Sequence, residues 1–219
     1  MIQNHGKPFI LWASARTASS QFFFFKYLEK NNCKVMHKTH EPLNVQKKLL
    51  GGGILEFINK KYSFKCMVNT SRVLKLELDR LQQAIPTIDY THIILYRKDL
   101  YARQRSFMFS KYNDVWKKED LTKPRDSSWY YFKKEDIPSL VDQAIRWETE
   151  CLNMYVKCIK RLKAYDIPYQ VVEFNDAIQY IDKDTSQGTK QYYDKMFQSE
   201  ELKKSLKNLI INHEFYSMI

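Results

Sequence analysis

Five short apolar runs, interspersed with longer stretches of helical period, constrain this chain more than any other feature. "PFILWAS" (8–14), "KVMHK" (34–38), "FKCMVN" (64–69), "THIILYR" (91–97) and "PYQVVEF" (168–174) have the length and β-branched or aromatic content of strands. "PFILWAS" is apolar at successive positions, as a strand covered on both faces must be. Between these runs the sequence predicts helices over 19–31, 71–85, 99–111 and 137–165, with a further helix over 200–212. Asp99 is placed to cap the third of these, and Pro138 stands where the first turn of the fourth tolerates it. In the second, Val73, Leu74, Leu78 and Leu81 share one face. Strand and helix in alternation predict an α/β fold: a central, mainly parallel sheet flanked by helices on both faces. With 219 residues, the chain has the length of one domain. In such a sheet ligands bind beyond the carboxyl ends of the strands. The residues following Ser14, Lys38, Val68, Tyr96 and Glu173 are therefore the candidates for chemistry.

Residues 112–136, "YNDVWKKEDLTKPRDSSWYYFKKED", have no period and are rich in charge and aromatics. They read as a lid-like insertion. Charge narrows the ligand class: 36 Lys and Arg against 25 Asp and Glu give +11, which favours anionic partners. The lysines are scattered rather than gathered in a tail, which argues against a dedicated nucleic-acid arm. The 4 cysteines, Cys33, Cys66, Cys151 and Cys158, form no CxxC pair and predict neither a disulfide framework nor a zinc site. No signal-peptide pattern opens the sequence, and no run of about 18 apolar residues is present to cross a bilayer. A soluble cytoplasmic protein without membrane insertion is the expectation.

Three segments at predicted strand ends carry chemistry. Ala15-Arg16-Thr17-Ala18-Ser19-Ser20 opens a helix after the first strand. Backbone N–H groups at a helix start attract an anion, and Arg16 and the hydroxyls of Ser19 and Ser20 add donors. A serine-capped helix with a solvent-facing arginine also fits these residues, whereas a Walker A loop does not, since its GxxxxGK[ST] pattern is missing. In "YRKDLYARQRSF", Arg97 ends a strand and Ser106 lies 106 − 97 = 9 residues on, a pair suited to a second phosphate or else to an ordinary basic helix. "HKTHEPLN" crowds His37, Lys38, Thr39, His40 and Glu41 at a strand end. His40 and Glu41 are capable general bases, and Lys38 can stabilise developing negative charge.

Together and in this order, the three segments resemble the sulfotransferases that use 3′-phosphoadenosine 5′-phosphosulfate (PAPS). "ARTASSQFFFFKYL" is similar to that family's 5′-phosphosulfate loop, and "LYRKDLYARQRS" to its 3′-phosphate motif. Lys38-Thr39-His40 resembles the KTH of the cytosolic branch, Glu41-Pro42-Leu43 the EPL of the carbohydrate branch. Weaker likenesses are "FKCMVN", the long helix with Trp147, and "YQVVEFNDAI", so that most of residues 8–178 is covered in order. The resemblance implies a P-loop NTPase-like sulfotransferase fold and transfer of a sulfuryl group from PAPS to a hydroxyl or amine of a glycan or small molecule. It implies that Arg16, Thr17, Ala18, Ser19 and Ser20 hold the 5′-phosphosulfate, and Arg97 and Ser106 the 3′-phosphate. Glu41 or His40 would be the base, with Arg16 and Lys38 supporting charge on the bridging oxygen. No metal is implied.

The sequence departs from the family at three places. Ala18 stands where a glycine is usual, so φ > 0 is not freely open there. Gln21 replaces the tryptophan that cytosolic enzymes set against adenine, and "TSQGTK" (185–190), ending in Lys190, only faintly echoes their C-terminal phosphate loop. Two other classes compete: a nucleotide kinase, which needs a Walker lysine and a metal site, and a non-catalytic protein binding nucleotides or polyanions, nucleic acid included.

Overall fold

A computed structural model describes residues 7–14, 58–59, 61, 63–68, 79, 81–113, 133–178 and 198–219. Among these residues, four strands form one sheet: β1 (Phe9–Ala13), β2 (Phe64–Met67), β3 (Thr91–Tyr96) and β4 (Tyr169–Glu173). All pairings are parallel, in the order β2-β1-β3-β4. Ile10 pairs with Phe64 and His92, and Ile94 with Val171, so one face carries Ile10, Trp12, Phe64, Cys66, Ile94 and Val171. The other carries Phe9, Leu11, Ala13, Ile93 and Leu95, all fully buried. β1 is thus covered on both faces, as its unbroken apolar sequence requires. The predicted strand at 34–38 and helix at 19–31 lie outside the described residues.

Helices among the described residues include α1 (Leu100–Asn113), α2 (Ile137–Ala164), α3 (Phe174–Ile178), α4 (Glu200–Asn212) and α5 (Glu214–Met218); residues 81–84 are also helical and lead into a 3-10 turn, Ile85–Thr87. Asp99 caps α1 as expected: its Oδ1 accepts the Ala102 N–H at 2.9 Å. α2 follows a short 3-10 turn, Lys134–Asp136, and has Pro138 in its first turn. Its buried positions recur at steps of three and four, from Leu140 to Leu162, which is the apolar stripe of a packed helix. The stop is equally legible. Asp166 takes φ of 50°, its N–H reaches the Lys163 carbonyl, and the Ile167 N–H reaches Leu162. These are the two hydrogen bonds that close a Schellman motif, with Pro168 barring any continuation.

At 1.5 Å per residue the 28-residue α2 is about 42 Å long, roughly twice the ~20 Å of the six-residue β3. Its second half packs on the sheet: Tyr155, Cys158, Ile159 and Leu162 join Trp12, Phe64, Cys66 and Ile94 in the main core. Its first half leaves the sheet and packs with α1 and α4, where Leu140, Val141 and Ala144 meet Leu100, Met108, Leu202 and Leu206. The molecule therefore has a sheet tier and a helical tier, the second standing above the carboxyl edge of the first. The aperiodic stretch is narrower than the sequence suggests, because Tyr112 and Asn113 finish α1 and residues 134–136 form the turn before α2. Residues 114–132 lie outside the described residues. On the Ile10 side, α2 and α5 pack on the sheet together with Leu81 and Ile85.

Candidate functional site

Among the described strands, the order places a topological switch point between β1 and β3. The next described strand after β1 is β2, on one side of it; β3 is β1's other neighbour, and β4 continues away from it. Ligands of open parallel sheets bind in the crevice that opens where neighbouring connections diverge, at the carboxyl ends. Here that position belongs to Ser14, leading into 15–20, and to Arg97, leading into α1. Of the residues expected to act, Arg16, Thr17, Ala18, Ser19, Ser20, Lys38, His40, Glu41 and Lys190 lie outside the described residues. Arg97 and Ser106 are described. Arg97 follows β3 directly, half-buried, with its guanidinium carbon 4.4 Å from the centre of the Phe174 ring. Ser106 is buried in α1, about 9 Å along the helix from Leu100. Glu173 secures this edge: one carboxylate oxygen accepts the Lys98 N–H at 3.0 Å, the other the Asn175 N–H at 2.6 Å.

Behind the edge lies a buried polar cluster that spacing does not reveal. Arg103 on α1 forms an ion pair with Glu148 on α2, each about 2–3% exposed. Gln104 Nε2 donates to the same Glu148 oxygen at 2.6 Å. Arg103 also hydrogen-bonds the thiol of Cys151, one turn nearer the sheet, although burial dominates and pushes that thiol up. A further turn on, the Tyr155 hydroxyl donates to the Leu95 carbonyl at 2.9 Å. Side chain and backbone of Ser14 act on the same phenol, lowering its pKa. Burial raises the Tyr155 pKa despite these donors and the nearby Arg103 charge, so the phenol stays protonated.

The C-terminal helix closes the cluster. Phe215 is fully buried, its ring 5.4 Å from Tyr96 and 5.3 Å from Tyr155. The Tyr216 hydroxyl is shut off from solvent with no hydrogen-bond partner among the described residues, and so is Gln104 Oε1. Burial raises the Tyr216 pKa, with the Arg103 charge opposing. Tyr96 is raised by burial first, then by the Glu173 and Asp176 carboxylates. Phenols here are therefore neutral donors at physiological pH. The cluster combines one charge-compensated cation with several neutral phenols, and none of these groups is an activated nucleophile. Among the described residues no three His, Cys, Asp or Glu side chains gather in a way that would hold a metal ion, and no helix is long and apolar enough to cross a membrane.

No protein-family model, curated protein or solved structure matches the chain.

Proposed function

We propose that this chain is a PAPS-dependent sulfotransferase with a P-loop-like fold, acting on a hydroxyl or amine of a glycan or small molecule. The observation that carries the reading is the strand order. β1 lies beside β3 in a parallel sheet, so Ser14, which precedes the hydroxyl-rich segment 15–20 in sequence, and Arg97 follow adjacent strand ends. Two anion-binding groups so related suit a donor with a 5′-phosphosulfate and a 3′-phosphate. Arg16, Thr17, Ser19 and Ser20, with the backbone at Ala18, would hold the first. Arg97 and Ser106 would hold the second, and Lys190 is a further candidate contact. The half-buried setting of Arg97 over Phe174 fits this role, since a guanidinium preordered by a ring loses less freedom on meeting a phosphate.

PAPS supplies the activated sulfuryl group. The chain's own task is to align the acceptor, take its proton at Glu41 or His40, and stabilise charge on the bridging oxygen with Arg16 and Lys38. The charge of +11 favours a second reading, a non-catalytic protein that binds nucleotides or polyanions. Calorimetric titration with PAP, the desulfated donor, separates the two. Micromolar binding, stronger than that of AMP or ATP and lost in Arg97→Ala, is the result expected of the enzyme. Equal, salt-sensitive binding of all three ligands would discard it for the polyanion reading.

A further inference from the structure

We propose that the helical tier carries a saccharide-binding site, built on Trp147 between α1 and α2 and separate from the strand-end crevice. A cavity of about 460 Å³ opens on this part of the molecule. The described residues lining it are Ser139, Asp142, Gln143, Arg146 and Trp147, all in the first three turns of α2. Its volume falls within the ~300–1,000 Å³ of small-molecule sites. The groove stands away from Arg97. Lys111, which lies over the Trp147 ring, is 111 − 100 = 11 residues past Leu100, about 16 Å along α1. The site therefore stands whether or not PAPS is the donor at the sheet edge.

The tryptophan is fixed before any ligand arrives. The Phe107 ring meets it edge-on, with centres 5.1 Å apart and planes at 87°, and the Lys111 ammonium sits 3.8 Å from the ring centre. Both partners belong to α1, which the buried Arg103–Glu148 pair locks against α2 at the residue next to Trp147. An indole held in this way loses little freedom when a ligand packs on it.

The polar lining decides the ligand class. Asp142 and Arg146 are both exposed, stand one turn apart on the same face of α2, and have no ion-pair partner among the described residues. Gln143 Oε1 accepts the Tyr112 hydroxyl at 3.3 Å, so the amide offers its NH2 to the cavity. A carboxylate only accepts, whereas a guanidinium or an amide NH2 only donates. The group that answers both at neighbouring positions is a hydroxyl. Ser139 adds one more hydroxyl to the wall, able to act in either sense. A ring with C–H groups on its faces and hydroxyls on adjacent carbons meets the indole and these side chains at once, and that is the make-up of a pyranose. An apolar ligand would leave the two charges unpaired, and a phosphate or sulfate would meet the Asp142 carboxylate.

Lactose, maltotriose, chitotriose and mannotriose are the probes, titrated into the isotope-labelled full chain. The readout is the indole N–H resonance of Trp147, assigned by its loss in Trp147→Phe. At least one probe should shift it saturably, with a dissociation constant of about 1 mM or lower. Asp142→Asn keeps the shape of the side chain and removes a charge-assisted hydrogen bond, so it should weaken that binding about tenfold. Arg146→Gln should weaken it by a similar factor. Lys204→Ala, an exposed change on α4, should leave it unaltered. Because Asp142 and Arg146 are exposed, their substitutions should leave the fold intact, which circular dichroism checks. No saturable shift with any of the four saccharides overturns the proposal, as does wild-type affinity in both Asp142→Asn and Arg146→Gln. A shift produced equally by triglycine or by inorganic sulfate also overturns it, since the cavity would then not be reading hydroxyls.

Discussion

Replacing Glu148 by glutamine should be among the most damaging single changes in the helical tier. The carboxylate and the Arg103 guanidinium are each about 2–3% exposed, so neither has bulk water to fall back on. Glu148→Gln keeps the volume and leaves a buried cation without its counter-charge, a loss of about 3–5 kcal/mol. For a chain of 219 residues each kcal/mol moves the melting temperature by roughly 2–4 °C, so the midpoint should fall by about 6–20 °C. The pair need not be stabilising in itself, because two desolvated charges are offset by their attraction only in part. The double variant Arg103→Met/Glu148→Leu should therefore melt close to the wild type. Thermal unfolding followed by circular dichroism on the wild type, Glu148→Gln and the double variant measures both quantities. A Glu148→Gln midpoint within about 2 °C of the wild type, or a double variant as unstable as the single, would refute this account of the pair.

Two further outcomes follow from buried groups in the sheet tier. His92 is fully buried, accepts the Trp12 indole N–H at its Nδ1 (3.1 Å) with the two rings nearly parallel and their centres 6.1 Å apart, and burial lowers its pKa to about 4. Unfolded chains take up the proton near the ordinary value of about 6.5, so stability is intact above that pH and falls as the pH drops towards 4, by about 3 kcal/mol in all. Urea titrations from pH 7 to 4 should show this slope, and His92→Gln should flatten it. Cys66, Cys151 and Cys158 are buried free thiols whose pKa values burial raises. They should resist an aromatic disulfide reagent at pH 8 in the native protein and react once urea is added, as mass mapping of the labelled peptides would reveal.

The elements that sequence predicts best are those whose burial is nearly complete. "FILWA" and "HIILY" declare themselves because both faces of an interior parallel strand must be apolar. α2 was legible from its stripe and its Asp-Ile-Pro stop. α1 was legible as a helix but not in its function, because the side it buries is polar: Arg103, Gln104, Ser106, Ser110 and Asn113 face inward. A period of apolar residues cannot identify such a side. Nor can spacing pair Arg103 with Glu148 across 45 residues, or distinguish the Tyr155 hydroxyl from one more aromatic on a core stripe. Lys65 illustrates the same limit, being buried within a strand whose other described positions are apolar or cysteine. Such contacts belong to the tertiary fold, which local propensity does not encode.

The interior place of β1 has a consequence for biosynthesis. Its neighbours are β2, whose pairing begins at Phe64, and β3, beginning at Thr91. During translation at about 5–20 residues per second, "FILWA" leaves the ribosome some seconds before either partner exists. Throughout that interval a segment with high β-propensity and no charge remains unpaired, the kind that associates with other nascent chains. Hairpins and local helices escape this exposure, whereas pairings this distant in sequence slow the search for the native arrangement. Folding yield in the cell should accordingly depend on chaperones that shelter the first strand until β3 is made.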